Sequence, residues 1–328
     1  MQIWTGLEEA VCETPSAVAC GYFDGLHIGH AAVIGEAVAQ AAARGLQPGV
    51  FTFTLHGGHP AAKPEGCELV TEEEKYRILE HWGVRRVLCP DFSQFQSMSP
   101  EAFVEEILCR RLRAAVVCCG GDFKFGSHAM GDVALLRQLC ARRGVAVSVV
   151  PEVDLDGRRV SSTRIRALLG QGRVEEANRL LGRAFGYDFA VVHGKRLGRT
   201  IDSPTINQRM PAGFVRLRHG VYASVALAAG RLWPAVTNVG LRPTVEDSRA
   251  ANSETYLQGF SGDLYGQRVP VRLLRFLRDE QKFDSVDRLR AQIQADAAAS
   301  LPIARAYIAE KSAELLWIPP LQPGEGVV

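Results

Sequence analysis

Along the first half of the chain, short apolar or β-rich runs alternate with longer stretches whose apolar residues recur on a helical period. The runs are Ser16-Ala-Val-Ala-Cys20, residues 48–55, residues 84–89, Ala114-Ala-Val-Val-Cys-Cys119 and residues 145–150. An unbroken apolar run such as 114–119 is expected of a strand covered on both faces, as central parallel strands are. Between the runs, residues 31–43 predict an alanine-rich helix. Thr71-Glu-Glu-Glu74 is a capping-box pattern opening a helix to about residue 81. Ser99-Pro100 starts another helix with proline in its first turn. Residues 132–143 and the stretch 167–181 complete the set. Strands alternating with helices predict a doubly wound parallel sheet, an α/β domain whose ligands gather at the carboxyl ends of the strands.

From about residue 187 the pattern changes to short β-rich runs at 189–192, 221–227, 233–238, 254–260 and 269–276, separated by Gly, Pro and Asn turns. That spacing predicts a small antiparallel β-barrel. Terminal helices over 285–299 and 302–316 follow, then a Pro/Gly-rich tail. The expected organisation is therefore residues 1–183, residues 187–318 and a tail at 319–328.

Composition narrows the class. The chain has 328 residues with 47% hydrophobic and 23% charged side chains, which suits two soluble domains, and its net charge of +2 marks no dedicated nucleic-acid surface. No leader-like start or membrane-length apolar segment is present, so no membrane partner and a cytoplasmic location are expected. All eight cysteines precede residue 141 without a Cys-x-x-Cys pair, which predicts buried, reduced thiols.

The densest chemistry is Gly21-Tyr-Phe-Asp-Gly-Leu-His-Ile-Gly-His30, between an expected strand and an expected helix. A glycine-punctuated turn at a helix N-terminus turns backbone N–H groups toward an anion, and His27 and His30, three apart, share one face there. Gly120-Gly-Asp-Phe-Lys-Phe-Gly126 is a second glycine-bounded loop after a strand. Val160-Ser-Ser-Thr-Arg-Ile-Arg166 opens a helical stretch with three hydroxyls and two guanidinium groups, more than a helix cap needs, and this points to phosphate oxygens.

Together and in order, these motifs resemble the prokaryotic bifunctional riboflavin kinase/FAD synthetase family along nearly the whole chain. The likeness rests on the 21–30 turn, Thr52-Phe53 with His56, the 121–126 loop and Ser161-Ser-Thr-Arg-Ile-Arg166. In the second half it rests on Pro204-Thr-Ile-Asn207, Gly220-Val-Tyr222, Asn238-Val-Gly-Leu-Arg-Pro-Thr244, Glu254, Asp263-Leu-Tyr-Gly266 and Arg278 with Lys282-Phe283. The resemblance implies phosphorylation of riboflavin by ATP to FMN, then adenylylation of FMN by a second ATP to FAD and pyrophosphate. Magnesium or another divalent cation is implied for both. A narrower reading keeps the adenylyltransferase and leaves the barrel as a flavin-binding, weak kinase.

The resemblance also implies roles. Gly21, Phe23, Asp24, Gly25, His27, Gly29 and His30 would hold ATP, together with Ser161, Ser162, Thr163 and Arg166. Of these, His27, His30 and Arg166 would act in catalysis. His56, Asp122 and Phe123 would lie on the flavin side. In the kinase module Glu254 would be the base, Thr205 and Asn207 the metal and phosphate ligands, Gly198 an ATP contact and Arg278 a flavin-side residue. Two departures stand out. Leu55-His56-Gly57 replaces the usual Pro-His-Pro, and Ile201-Asp202-Ser203 replaces Leu-Gly-Phe, placing a carboxylate beside the expected phosphate loop.

Overall fold

The computed structural model describes residues 1–56, 68–193, 205–211, 213–241 and 251–311. They fall into two compact units. The first draws on Met1–Glu65 and Lys75–Ser161, the second on Gly66–Glu74 and Ser162–Pro319.

The first unit is built on six parallel strands: β1 (Gln2–Trp4), β2 (Ser16–Cys20), β3 (Gln47–Phe51), β4 (Arg86–Leu88), β5 (Ala114–Gly120) and β6 (Ala146–Val150). Their order is β1-β4-β3-β2-β5-β6. The expected parallel sheet is present, and its order reverses between β2 and β5, the switch point at whose carboxyl ends such sheets bind ligands. Every residue of β2 is buried, as its unbroken apolar run requires.

Helix α1 (Ile28–Arg44) lies against β2 and β3 through Val33, Ile34, Ala37 and Ala41, and ends at Gly45 in the left-handed region. Thr71 Oγ1 accepts the Glu74 N–H at 3.3 Å, which realises the predicted cap of α2 (Glu72–His81). Ser99 caps α3 (Pro100–Ala102), which runs on as a π-helix over Phe103–Arg111. Helix α4 (Val133–Ala141) starts at Asp132, whose carboxylate accepts the Leu135 N–H at 2.9 Å. Cys119 and Cys140 are buried, as expected, and burial pushes their thiols up to about 11 and about 12, which disfavours the reactive thiolate.

The second unit contains α5 (Ser162–Gly170) and α6 (Val174–Leu181), two short helices where the sequence suggested one stretch. Gly172, with a φ of 78°, turns the chain between them. Seven antiparallel strands follow: β9 (Gly186–Tyr187), β10 (Val191–Val192), β11 (Thr205–Arg209), β12 (Gly220–Ala228), β13 (Arg231–Leu241), β14 (Ala251–Leu257) and β15 (Val271–Arg278). The hairpin β7 (Asp154–Leu155) and β8 (Arg158–Arg159) belongs to the first unit. The order β10-β11-β14-β13-β12-β15-β9 places β9 and β10, neighbours in the chain, at opposite edges. The sheet therefore curls until its ends meet on one segment, the predicted barrel.

One face of this sheet is laced by hydroxyls. Ser224 Oγ and Thr237 Oγ1 lie 2.8 Å apart and Thr237 and Thr255 2.9 Å apart, and burial raises the pKa of the Tyr187 hydroxyl. The opposite face carries helix α7 (Val286–Glu310). The two expected terminal helices are one. Pro302 removes an intrahelical donor, but its flanks are pinned, with Ser300 Oγ donating to the Ala235 carbonyl at 2.7 Å and Ala304 fully buried against Ala184, Val225 and Leu274.

Candidate active sites

In the first unit the turn after β2 is set by three left-handed residues, Phe23 (φ 47°), Gly25 (φ 79°) and Leu26 (φ 45°). Such a conformation costs energy at Phe23 and Leu26, and burial of both side chains holds it. The end of β3 fastens the turn, because the Thr52 hydroxyl donates to the Tyr22 carbonyl at 2.8 Å. The turn carries Asp24 and His27 into the protein, 3% and 5% exposed.

His27 is the N-cap of α1: its Nδ1 accepts the His30 N–H at 3.2 Å. An accepting Nδ1 carries no proton, so the ring's proton sits on Nε2 as a donor. The two imidazoles stack at 3.6 Å and 20°, with the Phe23 ring edge-on to His30 at 5.3 Å. Gly29 leaves the ring its place, since a Cβ there would stand 3.2 Å from the His27 imidazole, a tight contact that the ring would have to yield to. The stacked pair thus stands at a helix N-terminus, at the switch point of the sheet, where the partial positive charge of the helix favours phosphate.

The loop after β5 leaves the carboxyl end of the strand that pairs with β2. Within it Asp122 accepts from Arg159 of β8, and Arg159 also pairs with Glu152 at 2.8 Å. The hydrogen bond from Arg159 to Asp122, with Glu152 adding to it, raises the guanidinium's pKa further. The rings of Phe123 and Phe125 stack at 5.7 Å, and Phe125 continues through Phe103 and Phe95 to Phe53 and Tyr22 as a chain of touching aromatics. His56 is exposed at the end of the described β3 loop. Arg159 escaped the sequence reading, although its place three residues before Ser162 was a usable signal.

Ser161 is the last residue of the first unit, and Ser162 opens α5 in the second. Ser162 and Arg166 are one helical turn apart and share a face, as do Thr163 and Arg166.

In the second unit the site is a row across three strands. Asn207 on β11 pairs in register with Glu254 on β14, which pairs with Asn238 on β13. Directly opposed residues of antiparallel strands share a face with their Cβ atoms about 4.5–5.5 Å apart. Thr205, two residues before Asn207, is on that face as well. Asn207 and the neighbouring Asn252 are 6% and 7% exposed, and the Asn252 amide donates to Asn207 Oδ1 at 3.3 Å. Asn238 and Asn252 were not singled out from the sequence as site residues, because cross-strand register is not written in any local motif.

Arg278 of β15 is clamped by Asp296 of α7, with Nε–Oδ1 at 2.9 Å and Nη2–Oδ2 at 2.6 Å, and lies 5.9 Å from the Phe283 ring. Gly198 and Asp202 lie outside the described residues, as do His59 and residues 242–250.

The fold and site residues define a two-part molecule: a nucleotidyltransferase-like α/β unit with paired histidines at a helix start, and an antiparallel barrel with a carboxylate set between amides. Comparison with known proteins matches both parts. The family described as FAD synthetase matches residues 10–164, and the family described as riboflavin kinase matches residues 181–303. The bifunctional riboflavin kinase/FMN adenylyltransferase of Pseudomonas fluorescens is 36% identical, covering 93% of this chain and 98% of the relative. The protein of the same description from Escherichia coli K12 is 35% identical over 84% of this chain and 88% of its own. A solved structure described as a macrolide-efflux protein from Streptococcus pneumoniae is 31% identical with a TM-score of 0.81, covering 91% of this chain and 98% of that one. Among the described residues no helix is long and apolar enough to cross a membrane. The chain belongs to the bifunctional riboflavin kinase/FMN adenylyltransferase family.

Proposed function

We propose that this enzyme makes FAD from riboflavin and two molecules of ATP at two separate sites, residues 1–183 forming the adenylyltransferase and residues 187–318 the kinase. The observation that carries the reading is the difference in equipment between the units. One offers donors at a helix N-terminus, and the other sets a carboxylate between two amides.

That difference matches the two nucleophiles. In adenylyl transfer the FMN phosphate attacks the α-phosphorus of ATP and pyrophosphate leaves. The attacker is already an anion, so alignment and charge stabilisation suffice. His27, with its proton on Nε2, His30 and the α1 N-terminus supply donors to the phosphates. Ser161, Ser162, Thr163 and Arg166 are assigned to triphosphate oxygens, and Gly21, Phe23, Asp24, Gly25 and Gly29 shape the ATP turn. Phe123, Asp122 and His56 are assigned to the flavin side.

In the kinase step the attacker is the neutral terminal hydroxyl of the ribityl chain. Glu254 accepts its proton as the oxygen bonds to the γ-phosphorus and ADP departs. Thr205 and Asn207 fit magnesium, because the Asn252 amide orients Asn207 and leaves its Oδ1 a second lone pair; such oxygen donors suit a hard cation shared with phosphates. When bound, magnesium neutralises phosphate charge. Gly198 is assigned to ATP and Arg278 to the flavin side, where Asp296 fixes its plane. A cytoplasmic location provides ATP and keeps the seven described cysteines, all free, reduced.

Purified protein given riboflavin, magnesium and ATP labelled at either phosphorus tests this. The expected products are FMN carrying the γ-label, and FAD carrying the γ-label through FMN and the α-label through its adenylate. FAD formed only when FMN is supplied would remove the kinase. Transfer of neither label to a flavin would remove both activities.

A further inference from the structure

On the outer face of the barrel, Asn238 donates from Nδ2 to Glu280 Oε1 at 3.3 Å, while its Oδ1 is buried with no hydrogen-bond partner among the described residues. A carboxylate only accepts, so Glu280 selects the orientation of the amide, turning the NH2 toward itself and leaving the carbonyl oxygen as a fixed acceptor. The space for Glu280 is made by Gly240, since a Cβ there would stand 2.2 Å from Glu280 Oε1 and 2.9 Å from its Cδ.

Gly240 is two residues beyond Asn238, hence on the same face, and it pairs with Asn252 as Asn238 pairs with Glu254. The Glu280 carboxylate therefore takes the side-chain position that glycine leaves open in the second row, diagonal to Glu254. Asn238 Oδ1 and the two carboxylates present acceptors to whatever binds there. A phosphate oxygen brings no proton to such a group, whereas a hydroxyl does.

We propose that Glu280 is a positioning residue of the kinase site. It acts through Asn238, whose Oδ1 accepts a hydrogen bond from a hydroxyl of the flavin's polyol chain and so brings the terminal hydroxyl to Glu254. This rests on the assignment of Glu254 as the base.

Steady-state riboflavin phosphorylation by Glu280→Ala, Glu280→Gln, Asn238→Ala and the Glu280→Ala/Asn238→Ala pair tests the idea. Loss of one oriented hydrogen bond is expected to lower kcat/KM for riboflavin roughly 5–10-fold in Glu280→Ala, with the KM for ATP unmoved. Glu280→Gln, whose carboxamide oxygen still accepts from Asn238, retains most of the wild-type value. The double variant is no worse than Asn238→Ala alone, because both changes remove one device.

Unchanged riboflavin kinetics in Glu280→Ala would overturn the proposal, as would equal damage from Gln and Ala, additive losses in the pair, or a shift confined to magnesium activation. Glu254→Gln measured alongside separates the two ideas. A wild-type kcat there removes the base assignment, whereas an inactive Glu254→Gln beside a silent Glu280→Ala removes only the positioning role.

Discussion

His27 is given two tasks with one ring: Nδ1 accepts an otherwise unpaired N–H of the first helical turn, and Nε2 is assigned as a donor to phosphate. Gly29 makes this possible, so Gly29→Ala should push the imidazole and lower FMN adenylylation roughly tenfold or more, with riboflavin phosphorylation unaffected. Separate assays of the two half-reactions check it. At the other site Glu254 is the only group assigned to take the hydroxyl proton. Glu254→Gln should slow the kinase about 10²-fold or more, with adenylylation intact; parallel loss of both would mean misfolding.

At the scale of elements, termini and pins decide stability. Asp132 caps α4, and the Leu135 N–H holds its carboxyl below the usual carboxylate range. A lowered folded-state pKa means that the stabilisation is present above the unfolded value and lost as pH falls through the folded one. The melting-temperature gap between wild type and Asp132→Ala should therefore close on acidification, and thermal melts across the acid range measure it. Asp296 pins α7 to β15, and removing it strands Arg278, which is 19% exposed. Asp296→Ala should cost about 3–5 kcal/mol in denaturant unfolding.

The same scale shows what the sequence can carry. β2 and β5 were legible because a strand buried on both faces needs uninterrupted apolar residues. β11, spelled Thr-Ile-Asn-Gln-Arg, was missed because its strand character comes from pairing with β10 and β14. Pro302 read as a helix boundary because tertiary pins at Ser300 and Ala304 leave no local trace. The place of the histidine turn between a strand and a helix was legible, since its glycines, histidines and aspartate fall within ten residues, whereas the left-handed Phe23 and Leu26 and the His27 cap were not. Asn238, Asn252 and Glu280 were not, since strand register and a glycine gap bring them together.

For the whole molecule, the proposed assignment gives each half-reaction its own groups. His27→Ala with His30→Ala should abolish FAD formation from FMN while FMN still accumulates from riboflavin at the wild-type rate. Product analysis over time reads this directly, and loss of both products would argue for shared machinery.

One feature of the barrel bears on how the chain is made. Its first short strand, at Gly186–Tyr187, bonds to the last, at residues 271 and 272. A nascent chain leaving the ribosome carries that opening segment long before its partner exists, so closure waits for the final strand. Closing so long a loop makes barrel formation a late step. Until then the half-made sheet shows raw edges to other chains, and crowded synthesis is where this protein is most exposed to aggregation.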